Sequence, residues 1–438
     1  MLTTKIGKLV VVDCQSTMND TRYPHFRRNY VLGIANGVLF NTGLSFFNRT
    51  TVIPVFLALL GAPSVVIALT ALFEVIGWHL PQLVASKFVL HRSRKMPLYT
   101  GASIARVAGL AIAIGGALQA GQRRGLSLGL FVTGYALFAI AGGFSGLVFT
   151  EVLAKTCPPE RRGSYFGWRQ ILSGILGLYL GVNVIRPLLK SWEFPTAFVL
   201  LFVLGAILIG ASFVLFSRQI EPEQEELPDR RSMAGQFAAA MTILRRDLPF
   251  RRFVIFRCLM NLWIAGVPFY VLMARERFGV QDDAIGVYVS WEFGGMIVAN
   301  LLWSHLSDRI GNRLLLIVAC ALALVVSLLV LLLSAEALLL PIWIFGGVFF
   351  LSAAVDSGIG NGGINYALEI VPEGERPTYI GTMNSLLAIA FAVAAIIGGL
   401  RDIVGYTGLY AITCGVALIG TLYILQLPEP RNAPRMAG

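Results

Sequence analysis

A handful of ionisable and amide side chains sit inside otherwise apolar stretches of this sequence, and their chemistry is ligand binding and proton exchange. Asp356 opens the run Asp356-Ser357-Gly358-Ile359-Gly360-Asn361-Gly362-Gly363-Ile364-Asn365, an acid and two amides among glycines. Gly33, Gly37, Asn41, Ser45 and Asn48 recur at near-helical spacing with Arg49 on the flank. Arg257 and Asn261 share one helical face, and Glu74 and Glu292 stand in apolar surroundings. An uncompensated charge or amide in hydrocarbon costs several kcal/mol, so such groups pair, line a cavity or bind something. A partly desolvated carboxylate exchanges its proton near neutral pH, whereas one paired with arginine is held ionised.

Bond-making chemistry finds no support. There is no H-E-x-x-H, no G-x-S-x-G on a suitable turn and no Walker-type G-x-x-x-x-G-K-[ST]. The G-x-G-x-x-G at 358–363 does not follow a strand, which removes a dinucleotide site. Five scattered cysteines offer neither metal-ligand spacing nor a disulfide framework. We therefore expect no catalytic residues, no metal and no cofactor, and no enzyme.

The elements that position these residues are membrane-spanning helices. Of 438 residues, 56% are hydrophobic and 13% charged, with a mean hydropathy of +0.73, a balance that makes lipid the solvent. A spanning helix needs roughly 20 apolar residues, and such stretches run from end to end. They are expected near 30–59, 64–86, 97–118, 126–153, 164–185, 195–217, 253–274, 284–306, 314–334, 340–368, 378–399 and 405–426. This is an all-α integral membrane fold of 12 transmembrane helices in two pseudo-symmetric six-helix bundles. A tail at 1–28 precedes the first bundle (29–217); a polar linker at 218–252 leads to the second (253–427) and a tail at 428–438. No cleaved signal is read in the first 28 residues.

The +11 charge marks topology rather than a nucleic-acid partner. With both termini cytoplasmic, inner segments hold 24 of the 35 Lys/Arg and outer loops seven, the positive-inside pattern of a plasma (inner) membrane protein. The halves also repeat. Pro158, Arg162, Ser164, Tyr165 and Gly167 align with Pro372, Arg376, Thr378, Tyr379 and Gly381 at an offset of 214. Glu74 and Gly77 align with Glu292 and Gly295, and Phe26-Arg27-Arg28 recurs as Phe250-Arg251-Arg252.

At this point the chain resembles the major facilitator superfamily (MFS) over essentially its whole length. Asp308-Arg309-Ile310-Gly311-Asn312-Arg313 is similar to that family's D-R-x-G-x-R loop motif, and Glu369-Ile370-Val371-Pro372 with Arg376 to its E-x-x-P-x-x-x-R signature. The resemblance implies a latch of short-loop charges, Asp308, Arg309, Arg313, Glu369 and Arg376, with Arg162 as the counterpart in the first half. There the acids are missing: the matching loop reads His91-Arg92-Ser93-Arg94-Lys95 and Lys155 stands in place of Glu369, with Glu151 one turn away as a partial substitute.

The resemblance further implies a cavity lined by the first, fourth, seventh and tenth spans. That places Asn41, Asn48, Arg49, Asn261, Asp356 and Asn361 as substrate or coupling candidates, with Glu292 as a proton-binding one because no cation stands at its depth in span 9. The packing alternatives are tight helix contact for Asn41, and snorkelling for Arg49 and Arg257. Glu74 and Arg106, at similar depth, are expected to form a structural intramembrane pair. The function this implies is secondary active transport of a small organic solute, by a monomer in the lipid bilayer, with a proton or another ion as the coupled species. A non-transporting protein of the same fold, acting as a ligand sensor or as a partner or pigment-delivery protein, is the alternative.

Overall fold

The computed structural model describes residues 23, 25–80, 92–223, 233–335, 342–372 and 375–430. Its secondary structure there is helical, without strands. In chain order the helices are α1 (Phe26–Ser45), α2 (Val52–Leu59), α3 (Ser64–His79), α4 (Met96–Leu118), α5 (Arg124–Thr156) and α6 (Pro159–Leu180). A π turn (Gly181–Ile185) joins α6 to α7 (Arg186–Ser191), and α8 (Thr196–Ser217) ends the first half. The linker holds α9 (Met233–Arg246). The second half comprises α10 (Leu248–Leu262), a 3-10 segment (Trp263–Phe269), α11 (Tyr270–Phe278), α12 (Ala284–Arg309), α13 (Asn312–Ser334), α14 (Ile342–Ile370), α15 (Arg376–Gly399) and α16 (Arg401–Ile424).

Among the described residues, nine helices are long and apolar enough to cross a membrane, and the remaining expected spans fall on α1 with α2, on α3 and on α14. Large apolar side chains such as Ile104, Leu301, Ile396 and Ile403 face outward, where a bilayer replaces water.

Two spans expected to be continuous are broken, and both breaks have a proline to account for them. Proline lacks the N–H that would bond four residues back, and its ring crowds that carbonyl. Pro54 therefore releases the carbonyl of Thr50, and α2 starts afresh at Val52 after the non-α-helical residues 46–51. Pro268 lies inside the 3-10 segment that splits α10 from α11. The two prolines stand 214 residues apart, the offset of the loop repeat.

The packing is symmetric as well. Within the first half α4 packs on α5, α3 on α5, α1 on α6, α1 on α8 and α4 on α8. Their counterparts α13 on α14, α12 on α14, α10 on α15, α10 on α16 and α13 on α16 repeat the scheme. Gly77 and Gly295 explain part of it: a Cβ on Gly77 would strike the backbone of Ala139, and one on Gly295 the backbone of Phe350. The halves meet where α3 packs on α15 and α6 on α12, again a symmetric pair.

The linker is not a plain tether. Ile220 exchanges two hydrogen bonds of 2.9 Å with the Asn29 amide, and buried Glu221 accepts from the backbone N–H of Lys95 (2.7 Å) and Met96 (2.7 Å) at the start of α4. Glu221 also pairs with Lys155 at 2.7 Å, and Lys95 pairs with Glu151 at 2.6 Å. The acid missing from the first-half loops is thus delivered by the linker, with Glu151 as the second. Glu221→Ala strands one ammonium and two N–H groups, a cost on the order of 2–3 kcal/mol. We expect a lowered melting temperature by scanning fluorimetry in nanodiscs; an unchanged one would mean that the linker contributes nothing to the first half.

Candidate functional site

The break in the first span is organised by one amide. Asn48 Oδ1 accepts from the backbone N–H of Thr50 (2.8 Å) and Thr51 (2.9 Å), the two residues that lead into α2, and so holds the turn of the break. The hydroxyls of Thr50 (2.7 Å) and Thr51 (2.9 Å) reach the same oxygen. With its oxygen committed to its own chain, Asn48 turns its Nδ2 across to the other half and donates to Glu292 Oε2 at 2.9 Å. Thr50 Oγ1 lies 2.7 Å from that same carboxylate oxygen.

Thr50 has one hydroxyl proton and two close oxygen neighbours, Asn48 Oδ1 and Glu292 Oε2. Both contacts are hydrogen bonds only when Glu292 carries a proton: its O–H donates to Thr50 Oγ1, which donates onward to Asn48. When Glu292 is ionised, Thr50 serves one acceptor and leaves the other.

Arg49, next along, does not snorkel. Its Nη2 donates to Asp356 Oδ2 at 2.7 Å, an ion pair from α14 to the break in the first span. Arg49 lies in the field of three carboxylates, Asp356 most strongly, then Glu74 and Glu292. Among the described residues no second hydrogen-bond partner is found for the Arg49 guanidinium, nor any for Asp356 Oδ1. Both residues open onto a cavity of about 280 Å³ between the halves. The first half contributes Arg49, Thr50 and Gln170; the second contributes Glu292 and Asn300 from α12, Asp356 and Asn361 from α14, and an apolar wall including Trp263, Phe293 and Phe349. Asn361 Nδ2 donates to Asn300 Oδ1 at 3.1 Å.

Further ties join the halves at the end of the molecule remote from the linker. Ser64 donates from its backbone N–H (2.8 Å) and hydroxyl (2.5 Å) to the Asp402 carboxylate. Arg186 pairs with Asp283 at 3.1 Å, and Ser290 donates to the Leu178 carbonyl at 2.7 Å.

The remaining residues singled out from sequence fall elsewhere. Asn41 donates weakly to Ser173 (3.4 Å) on α6, within the first half. Gly33 and Gly37 in the same stripe make room for the Tyr165 ring and the Arg169 guanidinium, so that part of α1 serves packing. Asn261 bonds back to the Arg257 carbonyl of its own helix at 2.8 Å and does not line the cavity. Arg257 is buried, donates to the Ile359 carbonyl and lies against Gly363, so it points inward rather than to the surface.

Glu74 and Arg106 do not form a contact ion pair. Arg106 donates to Ser145 at 3.2 Å and is enclosed by the rings of Phe138 (4.3 Å), Phe40 (4.8 Å) and Phe213 (5.1 Å), which hold the guanidinium by cation–π attraction instead. Arg49 acts on Glu74 more strongly than Arg106 does.

At the linker end, Glu369 accepts from Asn312 Nδ2 at 2.8 Å, and Arg313 donates to the carbonyls of Leu427 (2.7 Å) and Leu425 (2.9 Å). Arg162 donates to the Ala154 carbonyl at 3.0 Å and Arg376 to that of Leu368 at 3.5 Å, the same bond repeated at the 214-residue offset. Asp308 and Arg309 end α12. Thr50, Gln170, Trp263 and Asn300 line the site without having been singled out. For Thr50 a signal was available: Asn48 followed by two threonines and a proline six residues on is a turn and a restart.

Comparison with known proteins places this geometry. Residues 266–436 match the family model described as Major Facilitator Superfamily. The chain is 25% identical over 257 residues to a probable quinate permease of Aspergillus clavatus, covering 48% of this chain and 47% of that one. It is 24% identical over 262 residues to a probable quinate permease of Neosartorya fischeri, covering 49% and 47%. It thus spans about half the length of the curated relatives it matches. Among solved structures it resembles a D-xylose-proton symporter (TM-score 0.67, 15% identity, 92% of this chain and 98% of that one). An auto-inhibited POT family peptide transporter is also similar (TM-score 0.69, 13% identity, 93% and 98%). So is a bacterial homologue of the iron transporter ferroportin in an inward-facing state (TM-score 0.61, 15% identity, 91% and 98%). At these identities the likeness to solved structures is one of fold.

Proposed function

We propose that this chain, whose residues 266–436 match the Major Facilitator Superfamily model, is a member of that family and a secondary active transporter of a small organic solute, working by alternating access with a proton as the coupled ion. The observation that carries this reading is the 280 Å³ cavity between the halves, crossed by the Arg49–Asp356 pair and flanked by Glu292. A solute there touches both halves at once, which is what a site exposed alternately to two sides requires. The ties Ser64–Asp402 and Arg186–Asp283 close the end remote from the linker, and Asp356, Gln170 and Asn361 are exposed within the cavity, so the conformation is read as inward-facing. The linker-end charges Asp308, Arg309, Arg313, Glu369, Arg376 and Arg162 are assigned to a latch that tightens in the opposite state.

Glu292 is assigned the proton. Asn48 and Thr50 face it from the first span, and Arg49 and Asp356 are the charged groups nearby. In its ionised form the carboxylate takes charge-assisted hydrogen bonds from Asn48 and Thr50 and faces Arg49, all of the first half, so the halves are held together at their centre. Protonation weakens those contacts, which favours separation. Glu292→Gln should abolish pH-gradient-driven accumulation in proteoliposomes while leaving solute exchange without a gradient. Gradient-driven accumulation by the variant at the wild-type level would remove Glu292 from coupling.

Membership of a plasma membrane with the linker on the cytoplasmic side is proposed on the Lys/Arg distribution. A cysteine at Gln281 should react with an impermeant maleimide added outside intact cells, and one at Glu223 should not. The reverse pattern would invert the orientation.

A further inference from the structure

We infer that the solute is a zwitterion of amino-acid size, its carboxylate taken by Arg49 and its ammonium by Asp356. This rests on the reading of the cavity as the transport site and names what enters it.

Three observations carry the inference. The first is the unspent hydrogen-bonding capacity of the pair. A guanidinium offers five donors in a planar fork that matches a carboxylate bidentately, and among the described residues Arg49 spends one group, Nη2, on Asp356. Asp356, which lines the cavity, uses Oδ2, and no partner is found for its Oδ1 among the described residues. One end of the pair thus asks for an acceptor and the other for a donor.

The second is charge. With Glu292 neutral, the cavity's charged lining is one cation and one anion. A solute anion taken by Arg49 leaves Asp356 without a counter-charge in a site of low dielectric, and a solute cation taken by Asp356 leaves Arg49 without a contact partner. A zwitterion replaces each half of the pair with a partner of the correct sign and adds no net charge. It also gives a reason for an ion pair to bridge the halves: the solute substitutes for a bond that the halves make with each other.

The third is size and wall. A cavity of about 280 Å³ admits a small solute of amino-acid size. Trp263, Phe293 and Phe349 line it with apolar surface suited to an apolar or aromatic side group.

The test uses the full chain in nanodiscs and a matched set of probes: L-phenylalanine, 3-phenyllactate with hydroxyl for ammonium, phenethylamine without the carboxylate, and quinate. We expect L-phenylalanine at saturation to raise the melting temperature by about 2 °C or more, through binding to the folded state alone. Phenyllactate, phenethylamine and quinate should each give less than half that shift, and Arg49→Gln and Asp356→Asn should each abolish it. An equal or larger shift with phenyllactate or quinate would make this a hydroxy-acid site, and one with phenethylamine an organic-cation site; either overturns the zwitterion. Proteoliposome counterflow of radiolabelled phenylalanine separates the levels. Flux of quinate without flux of phenylalanine leaves transport standing and sinks the substrate class, whereas no flux of any probe, with wild-type binding of phenylalanine intact, leaves the zwitterion site standing and sinks transport. The wild-type arms decide even if a variant fails to fold.

Discussion

Within a bilayer every backbone polar group and every charge must find its partner inside the protein, and the break at residues 46–51 is where this constraint bites hardest. Pro54 denies the helix its bond to Thr50, and the chain must satisfy its backbone in mid-molecule. The Asn48 side chain takes the N–H groups of Thr50 and Thr51, and in doing so it fixes the geometry of the whole site. It holds the turn rigid, sets Thr50 against Glu292, and projects Arg49 into the space between the halves rather than out to lipid. A continuous helix there would have carried Arg49 round its cylinder to a different face.

The two halves share a scaffold and divide the chemistry. Pairs of helices pack alike in both, and Gly77 and Gly295 permit the same close approach. Yet the acids at the cavity, Glu292 and Asp356, come from the second half, while the cation and the hydroxyl that meet them come from the first. The central contacts are therefore complementary between halves, not within them, and any relative movement of the halves must act on them. The same asymmetry recurs at the linker end, where Lys155 replaces the acid of the repeat and Glu221 of the linker restores it.

Much of this was legible in the residues. Apolar run length revealed the spans, and the offset of 214 revealed the repeat. The rarity of charge in lipid pointed to Arg49, Glu292 and Asp356, because a buried charge needs a reason wherever it lies. What was not legible is what depends on rotation about a helix axis. Asn41 and Asn48 lie on one stripe of an ideal helix, yet the break separates them, and Asn41 ends on the α1–α6 contact. Glu74 and Arg106 were expected to pair, but the three phenylalanines around Arg106 come from helices whose facing the sequence does not convey. Both prolines marking the broken spans were in plain view and are informative only when read as breaks in the hydrogen-bond ladder.

The central claim is that the protonation of Glu292, through Thr50 and Asn48, governs how the two halves sit against each other. Pulsed dipolar spectroscopy between spin labels at Lys190 and Gln281, one on each half at the end remote from the linker, reads this directly. Two distance populations whose ratio shifts with pH are expected in the wild type, and two populations whose ratio is independent of pH in Glu292→Gln. A pH-dependent shift that persists unchanged in the variant would contradict the claim.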